Sequence, residues 1–237
     1  MKTVISATAL CSLLLLAPHA VHALATDNAV KAMTQGDFER ALKELRPLAE
    51  KRDPNAQFLM GMLYDAGKGV PQDPTIAASW YRKAAEQKHL MAQLFLGVQY
   101  YSGNGVARDY KQAAHWLQAP ANSGNDEAEF YLGAMYAEGN GVNKDESKAI
   151  EWLTKASAQK NTRAMGMLAA LLFARHQSEQ DLIDAYVWSH LAAEYDPIQA
   201  TTSARVVIEK YCDKAQVKAA KKSISDWKKQ WATASNN

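Results

Sequence analysis

The sequence predicts an all-α protein, a solenoid built from antiparallel helix pairs. Three observations predict it. Gly-Val pairs begin at Gly69, Gly105 and Gly141, a spacing of 36 residues each time, and a fixed period of that size marks an array of supersecondary units. The period carries much more than glycine. Ala56, Ala92, Ala128 and Ala164 keep step, as do Tyr64, Tyr100 and Tyr136, and Trp80, Trp116, Trp152 and Trp188. Between these anchors apolar residues return at spacings of three and four, which is the period of a helix and not of a strand.

The first 25 residues stand apart. "MKTVISATALCSLLLLAPHAVHALA" has one Lys, an apolar run from Val4 to Ala17, and small residues at Ala23 and Ala25. It reads as a secretory signal peptide, cleaved after Ala23 or Ala25, and places the mature chain in the periplasm. The run is short for a membrane span and is interrupted by Pro18; retention as an anchor is the alternative. Leu10 fits a lipoprotein cleavage site before Cys11 poorly. Cleavage leaves Cys212 as the single thiol, so no internal disulfide is available and the fold rests on its core. No His or second Cys sits near Cys212 at ligand spacing, and the four mature histidines, His89, His115, His176 and His190, form no metal motif.

Residues 26–53 form a first unit with a short turn, "QGD", and Asp37, Ala41 and Ala49 in register. Residues 54–160 hold three full units. In each, the first helix carries a glycine (Gly61, Gly97, Gly133). A helix-interior glycine costs about 1 kcal/mol against Ala, so its recurrence points to close approach by a neighbouring helix. The second helix is expected to open at Asp73, Asp109, Asp145 and Asp181, since Asp accepts the unpaired N–H groups of a first turn. Pro74 follows Asp73 at the first helical position, where its missing donor is harmless. The turns "AGKGVPQD", "YSGNGVARDY" and "EGNGVNKD" lie between two helices. They lack the third Gly and the Lys-Ser or Lys-Thr of a phosphate loop, so their glycines are read as positive-φ turn residues. Residues 161–196 form a degenerate fourth unit that keeps Ala164, Leu168, Asp181, Ala185 and Trp188 but replaces the turn with "ARHQS". Residues 197–237 leave the register and read as a helical, basic cap, with Trp227 and Trp231 covering the last apolar surface.

These positions resemble the Sel1-like repeat, a relative of the tetratricopeptide repeat. The pattern runs Ala56, Met60-Gly61, Tyr64, Gly67-Lys-Gly69-Val70, Asp73, Ala77, Trp80 and Ala84-Ala85, and recurs from Ala92 to Trp116 and from Ala128 to Trp152. Residues 26–53 are closer to an ordinary tetratricopeptide unit. The resemblance implies a right-handed superhelical solenoid of about five helix pairs that binds a protein, with no cofactor. It also implies that the first helix of each unit lines the concave face. On that basis the candidate contacts are Phe58, Met62 and Asp65, then Leu94, Val98 and Tyr101, then Phe130, Ala134 and Glu138, flanked by Gln57, Gln93 and Glu129. Bacterial members of the family look like envelope regulators, assembly factors or immunity proteins against toxic effector enzymes. Others, rich in cysteine, are linked to β-lactam hydrolysis.

The partner is therefore expected to be another protein, an effector enzyme or an envelope component, bound by a chain that is monomeric when alone. Net charge is +2, which gives no case for nucleic acid. The four Trp residues are read as core, because a shared register is what a stacked core requires. From Ala200 onward, Arg205, Lys210, Lys214, Lys218, Lys221, Lys222, Lys228 and Lys229 face Glu209, Asp213 and Asp226. This basic helix is read as a solvated cap; membrane contact through it is the less favoured reading. The chain is expected not to be an enzyme. The alternative, a cell-wall or β-lactam hydrolase, rests on two Ser-x-x-Lys matches, Ser157 to Lys160 and Ser225 to Lys228, without the accompanying Lys-Thr-Gly or Ser-Asp-Asn.

Overall fold

The computed structural model describes residues 26–175, 177–196, 208 and 210–234. The signal peptide read over 1–25, His176, and Arg205 and Glu209 of the basic tail lie outside the described residues. The helices are α1 (26–34), α2 (Phe38–Glu50), α3 (Pro54–Ala66), α4 (Pro74–Glu86), α5 (Leu90–Ser102), α6 (Tyr110–Asn122), α7 (Asp126–Glu138), α8 (Glu146–Ala158), α9 (Thr162–Arg175), α10 (Glu179–Tyr195) and α11 (Lys214–Ala234). No strand occurs among the described residues, and none of their helices is long and apolar enough to cross a membrane. The chain divides into two compact units, Met1–Asp109 and Tyr110–Asn237. Within the first, α2 to α5 each pack on the next helix in sequence; within the second, α6 to α10 do the same and α11 packs on α10.

The first core gathers Ala29, Leu42, Leu45, Ala56, Met60 and Leu63. The second gathers Leu153, Leu168, Tyr186, Trp188 and Leu191 with Ile224 and Trp231 of α11. The register glycines set how tightly these helices meet. A Cβ on Gly61 would lie 2.6 Å from the Tyr81 ring, and one on Gly133 would lie 2.7 Å from Leu153 Cγ. Gly61 and Gly133 thus seat the second helix of their own repeat, as the sequence implied.

The turns are built alike. Gly67, Gly103 and Gly139 end the first helices in the left-handed conformation. The next residue then donates its N–H to a carbonyl five residues back, Lys68 to Leu63, Asn104 to Gln99 and Asn140 to Met135. This pattern satisfies carbonyls that a helix end leaves open. The chain closes with Asp73, Asp109 and Asp145 donating their N–H to the carbonyls of Tyr64, Tyr100 and Tyr136, each at 3.0 Å. The second glycine of each turn meets the first residue of the preceding second helix. An added Cβ would come 2.2 Å from the Pro74 carbonyl oxygen at Gly105 and 2.3 Å from that of Tyr110 at Gly141.

Caps follow the same period. Asp73 and Asp145 cap α4 and α8, as expected, and Asp37 caps α2. A second series caps the first helices: Asp53, His89, Asn125 and Asn161 accept the N–H groups of Ala56, Ala92, Ala128 and Ala164 at 2.8, 3.1, 2.9 and 3.0 Å. The residue before each cap, Arg52, Lys88, Gly124 or Lys160, has positive φ. Only one of these four is glycine, which is why the series is easy to overlook.

Three expectations change. Asp181 does not open α10. Ser178 caps that helix three residues earlier, and Asp181 accepts from the Gln177 N–H at 2.9 Å and from Arg175 Nε at 3.0 Å. Without the Gly-x-Gly-Val turn the connection is shorter, so the helix begins sooner, and the ion pair holds the Asp181 carboxyl down to about 2. Of the register tryptophans only Trp188 is buried, with Trp80, Trp116 and Trp152 half-buried. Lys83 lies 3.8 Å over Trp80 and Lys155 lies 4.2 Å over Trp152, covering ring faces that the core does not. Gln57, Gln93 and Glu129 are buried and border no open face. Gln57 and Gln93 donate their amides to the carbonyls of Ala49 and Ala85, tying the first helix to the end of the helix before it, while Glu129 accepts from Gln159.

Three outcomes follow. Gly124 has positive φ but open space around it, so Gly124→Ala should cost only the left-handed penalty of about 1–2 kcal/mol; Gly141→Ala adds a backbone collision and should cost roughly a further 1–3 kcal/mol. Urea melts of the two variants check the order. His89 Nδ1 accepts from Ala92 while Nε2 lies 3.1 Å from Asn55 Oδ1, so the ring is neutral, and burial pushes its pKa down despite Asp53. A depressed value means stability is present above about pH 6.5 and is lost as pH falls. His89→Asn, which copies Asn125 and Asn161, should keep the cap and flatten the decline in Tm between neutral and mildly acidic pH. Glu129 is pushed up by burial, so its contribution is lost as pH rises through the carboxylate range. Glu129→Gln should raise Tm at pH 7, with the gain shrinking toward pH 4.

Candidate functional site

The nine sequence candidates fall in different environments. Leu94 and Ala134 are buried, at 5% and 4% exposure. Phe58, Met62, Asp65, Val98, Tyr101 and Phe130 are half-buried, and Glu138 is exposed. Phe58 stacks on His89 at 4.8 Å and meets Phe95 at 5.6 Å and Tyr81 at 5.9 Å. It fastens α3 to α4 and α5 as well as reaching the surface. The Asp65 carbonyl accepts from the Gln72 amide, and burial raises the pKa of its carboxyl. Glu138 accepts from the Asn140 amide.

The outward stripe of each first helix runs through positions that the sequence reading only partly named. In the first unit it passes through Asn55, Leu59, Met62 and Ala66 on α3, and Met91, Phe95, Val98 and Ser102 on α5. In the second it passes through Glu127, Tyr131 and Glu138 on α7, with Ala134 buried between them, and Arg163, Met167, Ala170 and Ala174 on α9. These positions follow i, i+4, i+7 and i+11, one face of a helix. At the second position the residue that reaches the surface is the half-buried Phe95, and its neighbour Leu94 is buried. A shift of one residue turns a helical side chain by about 100°, enough to exchange the surface for the interior. The signal was present as the 36-residue series Leu59, Phe95, Tyr131, Met167, a variable column beside conserved-looking alanines in the same chain.

The two units present different chemistry. The first is apolar and rich in methionine, with Leu90 and Met91 at 41% and 40% exposure. Methionine adapts to irregular partner surfaces. The second is polar and aromatic. Arg163 pairs with Glu127 and lies 4.4 Å over Phe130 and 5.4 Å over Tyr131. A guanidinium held over two rings is a rigid, amphipathic contact element of the kind enriched in protein interfaces.

The Ser-x-x-Lys matches lack the geometry of a nucleophile. Ser157 is fully buried. Ser225 is exposed, but Lys228 Nζ is held 2.6 Å from the Glu194 carboxylate, so it is engaged by that ion pair and not with the serine. No group of three His, Cys, Asp or Glu side chains among the described residues is arranged to hold a metal ion.

Comparison with known proteins follows the same architecture. The family model for the Sel1 repeat matches residues 54–89, 90–125, 126–161 and 162–194. The first repeat is therefore α3 with α4, and the fourth, despite its altered turn, is matched as well. No curated protein matches the chain. Among solved structures, it is similar to a protective antigen present in uropathogenic Escherichia coli strains and displaying an SLR fold. The two are 28% identical with a TM-score of 0.79 over 90% of this chain and 46% of that one, so the chain spans about half that antigen's length. It is also similar to a Sel1 repeat protein from Oxalobacter formigenes, at 29% identity and a TM-score of 0.64 over 71% of this chain and 70% of that one. With four consecutive repeats covering more than half of its sequence, the chain belongs to the Sel1 repeat family.

Proposed function

We propose that this Sel1 repeat solenoid, a protein-interaction scaffold fold, works in the periplasm and grips a partner protein through its first-helix faces. The observation that carries the reading is the half-exposed stripe of Leu59, Met62, Met91, Phe95 and Val98. An apolar, methionine-containing stripe bordered by polar positions suits a partner's helix or extended segment. The stacked Arg163 supplies a second, polar anchor on the other unit. Export is supported by the signal-peptide pattern over 1–25. The antigenic role of the Escherichia coli neighbour fits a protein that leaves the cytoplasm. Within this reading the chain serves as an envelope regulator or assembly adaptor, or as an immunity-type inhibitor that covers a secreted effector enzyme. The partner's identity separates these uses.

The test is a gentle purification of the tagged chain from its native envelope, beside the Met62→Glu/Phe95→Glu variant. A single stoichiometric protein is expected with the wild type, reduced at least about tenfold in the variant, since each buried charge costs more than the 1.4 kcal/mol of a decade. Equal recovery from both would overturn the assignment of this face. Amino-terminal sequencing of the same material reads the cleavage site, and an intact Met1 would overturn cleavage.

A further inference from the structure

We infer that α11 carries a second interaction surface, a basic ridge that docks an acidic segment of a protein. This surface is independent of the first-helix faces. Helix α11 contains six lysines and one acidic residue, Asp226. Lys214, Lys218, Lys221, Lys222 and Lys229 are exposed and Lys228 is half-buried. Their spacing places them on one side of the helix over 16 residues, about 24 Å at the rise of an α-helix. The opposite side is committed to the core. Trp227 packs on Trp188 at 5.0 Å, Trp231 meets Tyr195 at 5.5 Å and donates its indole N–H to the Ala158 carbonyl at 2.6 Å, and Ala220 and Ile224 are buried.

A terminal cap needs a polar outer face, but it does not need a face of one sign. The chain's other helices show how a neutralised face is made. Arg40 pairs with Glu44 and Lys155 with Glu151, each four residues apart. On α11 the same spacing sets Lys214 against Lys218 and Lys218 against Lys222, and like charges at that spacing destabilise a helix. Among the described residues only Lys228 of the six has an acidic partner, Glu194. Asp226, four residues from Lys222 and three from Lys229, offsets part of this repulsion; the remaining excess of positive charge faces outward and favours an acidic partner.

The shape of the ridge favours a polypeptide. Lys221, Lys228 and Lys229 surround an open depression of about 470 Å³ whose other walls are Ile224, Ser225 and Ala232. Cations around an apolar floor suit a segment that alternates carboxylates with an apolar side chain. An anionic membrane fits less well, because interfacial helices insert an apolar face and that face of α11 is already buried.

The experiment uses the full chain and three probes: a labelled peptide alternating Glu and Leu, vesicles of phosphatidylethanolamine with phosphatidylglycerol, and a short duplex DNA. The peptide should bind, and added salt should weaken it steeply. Lys218→Gln/Lys222→Gln/Lys229→Gln should bind it at least about tenfold more weakly and with a flatter salt dependence, while its Tm stays level or rises as repulsion is removed. Equal peptide binding by wild type and variant overturns the proposal. So does binding of vesicles or DNA without the peptide, or a fall in Tm that would make the lysines part of the fold. Failure here leaves the first-helix reading standing, since Met62 and Phe95 lie on the other unit.

Discussion

The whole repeat depends on one steric condition: the second glycine of each turn must touch the backbone of the helix before it. Gly105 against Pro74 and Gly141 against Tyr110 leave no room for a β-carbon. Each contact spans 31 residues, and Gly69 meets Phe38 at the same separation. The turn that ends one first helix is therefore also the wedge that seats the next repeat on its predecessor. The positive φ of these glycines and the missing Cβ serve one purpose, since the left-handed bend is what aims the backbone at the neighbouring helix start. The spacing of 36 residues follows from this contact as much as from helix length.

Around that wedge the polar backbone groups are satisfied by short-range devices. First helices α3, α5, α7 and α9 are each capped by a residue that follows a left-handed one, and α2, α4 and α8 by an aspartate. Two positions depart from the rule and mark where the array is sensitive. His89 stands where the other repeats use Asp or Asn, so this cap can titrate. Glu129 stands where two repeats use Gln, so a buried carboxyl replaces an amide donor. Both substitutions keep the shape of the array and alter its response to pH.

The scaffold residues are fixed by these requirements, while the outward column of each first helix differs from repeat to repeat within this chain. The first unit fills that column with Leu59, Met62, Met91 and Phe95; the second fills it with Glu127, Tyr131, Arg163 and Glu138. A single fold thereby displays an apolar surface, a polar aromatic one and, on α11, a strongly basic one. The Ser-x-x-Lys patterns fall on a sealed serine and on a lysine already paired, so they belong to the scaffold's packing and charge balance.

The sequence by itself determined the period, the helix pairs, the Gly-x-Gly-Val turns and the caps at Asp37, Asp73 and Asp145, because each is imposed by a few adjacent residues: a left-handed bend favours glycine, and an N-terminus favours an oxygen acceptor. It also placed the candidate face on the first helices. What it left open was the rotation of those helices. Leu94 and Phe95 have equal claim to the surface from periodicity alone, and only packing turned Leu94 inward. Packing also buried Gln57, Gln93 and Glu129, left Trp80, Trp116 and Trp152 half-exposed, the first and last of them beneath lysines, and moved the start of α10 back to Ser178. In each case the deciding contact comes from another helix, so no window of the sequence contains it.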